Sequence, residues 1–343
     1  MSTRVAINGF GRIGRLAFRN FMEREGDDLE VVAINDIAPL DNLAYLLRHD
    51  TLQRAPDARI EAQDGSLRWD DSEIRYLSEK NPGDLPWDDL DVDIVVESSG
   101  LFTKKEDAAK HLDAGADRVI ISAPAKGDVL HICPGVNEEA YDPDEHRIVS
   151  NASCTTNALA PVVKVLHDRF GIVQGALTTV HGYTSSQELV DGPSKKWRRG
   201  RAAALNIVPT STGAATATAE VLPELKGKLD GMAIRTPVGT GSIVDFVAWL
   251  ENPVDVDAVN DAFREASESD KMQGILGVTK EELVSSDIIG SPYSALVDLQ
   301  LTMVFGERMV KVLAWYDNEW GYARRVVDMA AYMAQRTPES SAA

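Results

Sequence analysis

Cys154 is the residue whose surroundings most plainly imply chemistry. It sits in Ser150-Asn151-Ala152-Ser153-Cys154-Thr155-Thr156-Asn157, among small hydroxyl and amide side chains, and the apolar run 158–166 follows at once. This pattern predicts a helix that starts at or just after the cysteine, where free N–H groups and the macrodipole favour a thiolate over a thiol. His181 comes 27 positions later, at the end of a predicted strand over 172–180. A cysteine with a histidine in reach is the usual arrangement for activating a thiol, and an imidazolium beside the sulfur would lower its pKa. A strand-end histidine with a purely structural role is the plainer alternative. The other cysteine, Cys133, falls in a strand-like apolar stretch and reads as a packed thiol. His49, His111, His146 and His167 lie in helical or loop contexts and read as surface or cap residues.

A reactive thiol needs a co-reactant, and the N-terminus offers one. A buried-strand pattern at Val5-Ala6-Ile7-Asn8 runs into Gly9-Phe10-Gly11-Arg12-Ile13-Gly14, then a helical pattern, then a second strand that ends at Asn35-Asp36. Alone, GxGxxG is a weak signal. Between a strand and a helix, with an acid 22 positions beyond Gly14, it is the fingerprint of a dinucleotide site. The glycines allow a tight turn and let the backbone approach a pyrophosphate at the helix N-terminus. Asp36 can accept hydrogen bonds from an adenosine ribose and repels a 2′-phosphate, which favours NAD over NADP. A thiolate adds to an aldehyde to give a thiohemiacetal; oxidation by NAD leaves a thioester, which phosphate can take up.

An anion grip has several candidates. Thr210-Ser211-Thr212-Gly213-Ala214-Ala215 opens a helix with hydroxyls and a glycine, which suits an anion site or a simple Thr N-cap. Arg235 ends a strand, and Arg198, Arg199 and Arg201 lie in a long polar stretch, 182–206. Guanidinium groups match phosphate bidentately, although any of them alone reads equally as a surface charge.

The elements that must position these groups fall into two sets. Residues 1 to about 150 alternate strands and helices as a doubly wound, Rossmann-type parallel sheet, with a small antiparallel hairpin insert over 58–77. After Cys154 come long strands over 172–180, 230–235, 242–250, 295–304 and 310–316, with few crossover helices. They predict an α+β domain on a mixed or antiparallel sheet. A helix over 104–114 and an amphipathic helix over 319–334 are expected, with frayed residues 338–343.

At 343 residues the chain is long enough for about two domains. Two cysteines give no disulfide scaffold, and no Cys/His cluster has metal-ligand spacing, so no metal is expected. No apolar run reaches the ~18 residues of a membrane span, and no signal peptide precedes the first strand, so a cytoplasmic location without membrane partners is expected. The net charge of -19 opposes binding to nucleic acid. Acid excess with 22 Arg against 13 Lys suggests a surface kept hydrated in high salt, hence a halophilic host; an ordinary acidic enzyme is the alternative.

Taken in order, Asn8–Arg15, Ser150–Asn157, Thr178-Thr179-Val180-His181, Ala202–Ala215, Gly231–Arg235 and Trp315–Tyr322 (WYDNEWGY) resemble phosphorylating glyceraldehyde-3-phosphate dehydrogenases of the bacterial and eukaryotic type. The resemblance spans essentially the whole chain. It implies an NAD-binding domain over 1–153, a catalytic domain over 154–318 with an S-loop at about 182–206, and a helix over 319–343 returning to the first domain. It further implies Cys154 as nucleophile and His181 as base. Arg12 and Ile13 would meet the NAD pyrophosphate through backbone, Asp36 the ribose, Lys80 the adenine side, Ser122 the cofactor, and Asn318 the nicotinamide. Ser153, Thr155, Thr184, Arg199, Thr212, Gly213 and Arg235 match positions that hold the substrate phosphate and inorganic phosphate. D-glyceraldehyde 3-phosphate and a homotetramer are implied too; erythrose-4-phosphate dehydrogenase or a non-catalytic NAD-binding protein are the alternatives. Ala158 replaces a second cysteine common in the family, and Thr236–Gly241 departs from its usual apolar continuation.

Overall fold

The computed structural model describes residues 2–24, 26 and 28–336. The chain divides into two compact units. One comprises the chain up to Ile132, Glu139–Ala152 and the chain from Ala323; the other comprises Cys133–Glu138 and Ser153–Tyr322.

The first unit carries β1 (Thr3–Asn8), α1 (Arg12–Glu23), β2 (Leu29–Asn35), α2 (Leu40–Arg48), β3 (Ile60–Gln63), β4 (Ser66–Trp69), β5 (Ser72–Leu77), β6 (Ile94–Glu97), α3 (Lys105–Ala108), α4 (Lys110–Asp113), β7 (Arg118–Ile121), β8 (Leu130–His131) and β9 (Ile148–Ser150). They form one nine-stranded sheet ordered β3-β4-β5-β2-β1-β6-β7-β9-β8. Every pairing is parallel except β3–β4 and β4–β5, which make the antiparallel insert. Val5, Ala6, Ile7, Val95 and Val96 are wholly buried, as both faces of a central parallel strand are covered. The order reverses at β1, where β2 lies on one side and β6 on the other, so the loop after β1 opens at a topological switch point.

The second unit carries α5 (Cys154–Phe170), β10 (Ile172–Gly182), β11 (Val208–Ser211), α6 (Ala214–Val221), β12 (Leu229–Thr236), β13 (Ser242–Leu250), α7 (Val256–Glu268), β14 (Leu276–Thr279), β15 (Ala295–Asp298), β16 (Met303–Phe305) and β17 (Met309–Tyr316). Its mixed sheet runs β11-β12-β10-β13-β17-β15-β14, with β16 on β17. β13 and β17 alternate buried and partly exposed residues, so one sheet face is packed, and α5 lies against β13, β15 and β17 as well as α6 and α7. The last helix, α8 (Trp320–Ala334), starts where Asp317 Oδ1 accepts the N–H groups of Glu319 and Trp320.

Three expectations are corrected. The strand expected over 295–304 is split, because Asp298 Oδ1 accepts the Gln300 N–H and starts a tight turn, Leu299–Leu301, between β15 and β16. The helix expected over 104–114 is two single turns meeting at Ala109. His111, expected as a surface or cap residue, is wholly buried. Trp87 Nε1 donates to His111 Nδ1 at 3.0 Å, so Nε2 carries the hydrogen and donates to Glu97 Oε2 at 3.0 Å. Glu97 also accepts from Asn8 Nδ2 and from the backbone N–H and hydroxyl of Ser99, so this network braces the loops after β1 and β6. Residues 338–343, expected to fray, lie outside the described residues.

Candidate active site

Ser153 is the N-cap of α5: its hydroxyl oxygen accepts the Thr156 N–H at 3.0 Å. Cys154 is therefore the first helical residue, half-buried, directly at the positive helix end. The preceding Ala152 is buried with φ +53, a left-handed conformation unusual for alanine that turns the chain sharply into α5.

β10 delivers His181 and β12 delivers Arg235, and the parallel register sets the two side by side. His181 Nδ1 lies 2.7 Å from the Gly182 carbonyl oxygen, which Arg235 Nη1 also donates to at 2.9 Å. Nδ1 therefore carries the imidazole hydrogen, and Nε2 presents its lone pair to Cys154 Sγ at 3.5 Å. Burial first, and then the Arg235 charge, drive the His181 pKa down to about 3, while the Gly182 bond opposes them. The Cys154 thiol is pushed up by burial, against the pull of Arg235 and Thr155. Burial thus works against the ion pair that the sequence reading expects, and Arg235 adds to that on His181 while opposing it on Cys154.

Thr155 Oγ1 bonds Tyr316 Oη at 3.0 Å, and Tyr316 Oη bonds Thr179 Oγ1 at 2.8 Å. Tyr316 is buried, its ring set edgewise to His181 at 5.9 Å, and burial holds its hydroxyl well above the ordinary phenol range. It ties α5, β10 and β17 together under the Cys–His pair. The sequence reading did not single out Tyr316 as a site residue; its place inside the WYDNEWGY block was the available signal.

Arg199, in the turn Trp197–Gly200, donates to Thr210 Oγ1, Ser186 Oγ and the Ser211 carbonyl. Arg201 instead pairs with Asp191 at 2.8 Å, and Arg198 is exposed. Arg235 Nη1 reaches Thr184 Oγ1 at 3.4 Å. Thr212 Oγ1 accepts the Ala214 N–H, and Gly213 is the N-cap of α6 without a side-chain cap. Asn318 Oδ1 accepts from Ser242 Oγ at 2.7 Å and Thr240 Oγ1 at 3.4 Å, which fixes which end of its amide is a free donor.

In the first unit, Gly9 (φ +93) and Gly14 lie where a Cβ would strike Ser99 backbone and the Gly9 carbonyl. A Cβ at Gly11, by contrast, would meet nothing within 4 Å, and Gly11 caps α1 with no side-chain bond. The N-terminal turn of α1, where Arg12 and Ile13 lie, thus carries no side-chain cap, which suits a pyrophosphate. The Arg12 guanidinium is drawn off to Asp50 at 2.7 Å. Asp36 Oδ2 accepts the Phe10 N–H and Oδ1 the Ala38 N–H, leaving lone pairs for a ribose diol. Tyr76 Oη donates to the Asp36 and Ala38 carbonyls, pinning that turn. Ser122 donates to the Glu97 carbonyl, and Lys80 is exposed. These features fit a dinucleotide. Among the described residues no group of His, Cys, Asp or Glu has metal-binding geometry, and no helix is long and apolar enough to cross a membrane.

A doubly wound sheet with a dinucleotide-type first turn in one unit, and a cysteine facing a histidine beside arginines in the other, are the features of a nicotinamide-dependent dehydrogenase. Residues 3–105 match the family model for the glyceraldehyde 3-phosphate dehydrogenase NAD binding domain, and 153–318 match that of the C-terminal domain. The chain is 52% identical to a glyceraldehyde-3-phosphate dehydrogenase of Streptomyces coelicolor over 98% of its own length and 100% of the relative's. It is 53% identical to that of Geobacillus stearothermophilus, over 98% of this chain and 99% of the relative. Glyceraldehyde-3-phosphate dehydrogenase 1 of Bacillus subtilis is 51% identical over the same shares. The chain belongs to the glyceraldehyde-3-phosphate dehydrogenase family: an NAD-dependent oxidoreductase acting on an aldehyde group.

Proposed function

We propose that the chain catalyses the phosphorylating oxidation of D-glyceraldehyde 3-phosphate to 1,3-bisphosphoglycerate. The observation that carries this reading is the 3.5 Å approach of an unprotonated His181 Nε2 to the Cys154 thiol, beside Arg235. As Sγ attacks the aldehyde carbon, its proton passes to Nε2, giving a thiohemiacetal oxyanion and an imidazolium, which then hands that proton to the oxyanion to make the hydroxyl. When bound, NAD supplies the acceptor for the aldehyde hydrogen. His181, once neutral again, takes the thiohemiacetal hydroxyl proton, and Cys154 is left holding a thioester. Phosphate adds to the thioester carbon, the C–S bond breaks, and the acyl phosphate departs from a Cys154 thiolate that Arg235 and the α5 N-terminus stabilise.

Arg235 and Thr184 are assigned to the substrate phosphate. Arg199, Thr212 and Gly213, with Ser153 and the Thr155 backbone N–H, are assigned to inorganic phosphate. The backbone of Gly9–Gly14, with Arg12 and Ile13, is assigned to the pyrophosphate, Asp36 to the ribose, Lys80 to the adenine side, Ser122 to the cofactor and Asn318 to the nicotinamide amide. NADH formation from glyceraldehyde 3-phosphate, with and without phosphate, using NAD and NADP in turn, tests the reading. Phosphate-independent turnover, or a tenfold preference for erythrose 4-phosphate, would sink it.

A cytoplasmic homotetramer goes with this reading. In its support, Leu189, Val190, Trp197, Leu205 and Ile207 in or beside the 182–206 loop are exposed, Trp197 by 89%, which is costly in water and expected of a subunit contact. Sedimentation of a monomer would count against it. A halophilic host is supported by the net charge of -19; full stability without salt would oppose it.

A further inference from the structure

Three cations gather in the second unit with no carboxylate among them. Lys196 Nζ donates to Ser211 Oγ at 2.7 Å. Arg199 Nη2 donates to the carbonyl of the same Ser211 at 3.4 Å, and its Nη1 to Ser186 Oγ at 3.3 Å. Ser186 Oγ lies 2.9 Å from Thr184 Oγ1, which accepts from Arg235. Every oxygen in this network belongs to a hydroxyl or a carbonyl, and among the described residues none of the three cations forms an ion pair. The neighbouring charges tell on two of them: burial, then Arg199 and Arg235, lower the Lys196 ammonium pKa, and burial, then Arg235, lower that of Arg199. In a chain with 54 acidic residues, an uncompensated triad of this kind is a site prepared for an anion.

The lysine belongs to one side of the network. Lys196 and Arg199 meet at Ser211, one residue before Thr212-Gly213 and the α6 N-terminus, whereas Arg235 sits with Thr184 and His181. An exposed ammonium on a flexible four-carbon stem can leave a neutral hydroxyl for a dianion with little to hold it back. Resting on the phosphorylating reading above, we propose that Lys196 is a third cation of the inorganic-phosphate subsite and sets its affinity and its selectivity for the attacking dianion. The other role open to Lys196 is a structural tie between the Trp197–Gly200 turn and β11.

The test compares the full-length enzyme with Lys196→Met and Lys196→Arg, varying phosphate at saturating aldehyde and NAD. Loss of the charge is expected to raise the KM for phosphate about five- to tenfold at low ionic strength, with kcat and the aldehyde KM within about twofold, and the gap is expected to shrink as KCl rises. Lys196→Arg is expected to restore the wild-type KM. Binding of inorganic phosphate to the protein without aldehyde, followed by 31P NMR, is expected to weaken in parallel. An unchanged phosphate KM in Lys196→Met overturns the proposal. So does an equal rise in the phosphate and aldehyde KM values that Lys196→Arg shares, which marks a structural tie. A wild-type rate indifferent to phosphate overturns the phosphorylating reading itself, a result distinct from either.

Discussion

Arg235 stands beside His181 on the adjacent parallel strand, its Nη1 3.0 Å from the imidazole Nδ1. Both groups donate to the Gly182 carbonyl, so the guanidinium disfavours a second proton on the ring. Removing that charge should raise the His181 pKa from its depressed value of about 3. Replacing Arg235 with Gln and titrating His181 by NMR checks this. An unchanged midpoint would mean that burial alone sets the value, with the guanidinium irrelevant.

The same depression links pH to stability. The folded His181 pKa of about 3 lies below the ordinary 6.5, so the unfolded chain binds the proton first. The stability this contributes is fully present above pH 6.5 and is lost as pH falls from 6.5 towards 3, by about 1.4 kcal/mol per pH unit. His181→Asn should flatten the acid limb of the stability curve by that slope. Denaturant midpoints between about pH 5 and 6.5 measure it. Parallel limbs in the two proteins would refute the assignment.

Tyr316→Phe should destabilise the second unit by about 1–2 kcal/mol, since it strips a shared partner from the buried hydroxyls of Thr155 and Thr179 while keeping the ring. The shift in unfolding midpoint reports the energy. A lowered kcat at unchanged KM would further show that the tyrosine seats the first turn of α5.

Asp36→Ala should weaken NAD binding and relax the selection against NADP, because it removes both the ribose acceptor and the repelling charge. Tyr76→Phe should act in the same direction but less, through the turn that its hydroxyl pins. The ratio of kcat/KM for the two cofactors is the readout; an unaltered ratio in Asp36→Ala would remove that residue from the ribose role.

The doubly wound sheet and the Cys154 helix start were legible because each has a short-range cause. Parallel strands buried on both faces read as apolar runs, and a hydroxyl before a helical pattern reads as a cap. Long-range causes were hidden. Nothing local tells that Trp87 and Glu97 close over His111, or that Asp298 turns its carboxylate back on Gln300 to cut a strand in two. The direction of the pKa shifts in the Cys–His pair was likewise out of reach, because they depend on burial and on the β10–β12 register that brings Arg235 alongside. Choosing Arg199 over Arg198 and Arg201 for the oxygens of Thr210 and Ser186 took the loop's actual path, in which Asp191 claims Arg201.

The last helix has a consequence for biosynthesis. Arg118 donates to the Met333 carbonyl, Arg24 pairs with Asp328, and Met329, Ala330 and Met333 are wholly buried, all within the unit that also holds the first strand. Strands made early are therefore completed by a helix made late. At elongation rates of about 5–20 residues per second the gap is on the order of ten to thirty seconds. Throughout it the first unit lacks the helix that carries these buried side chains, and the second unit, which ends at Tyr322, is made in that interval.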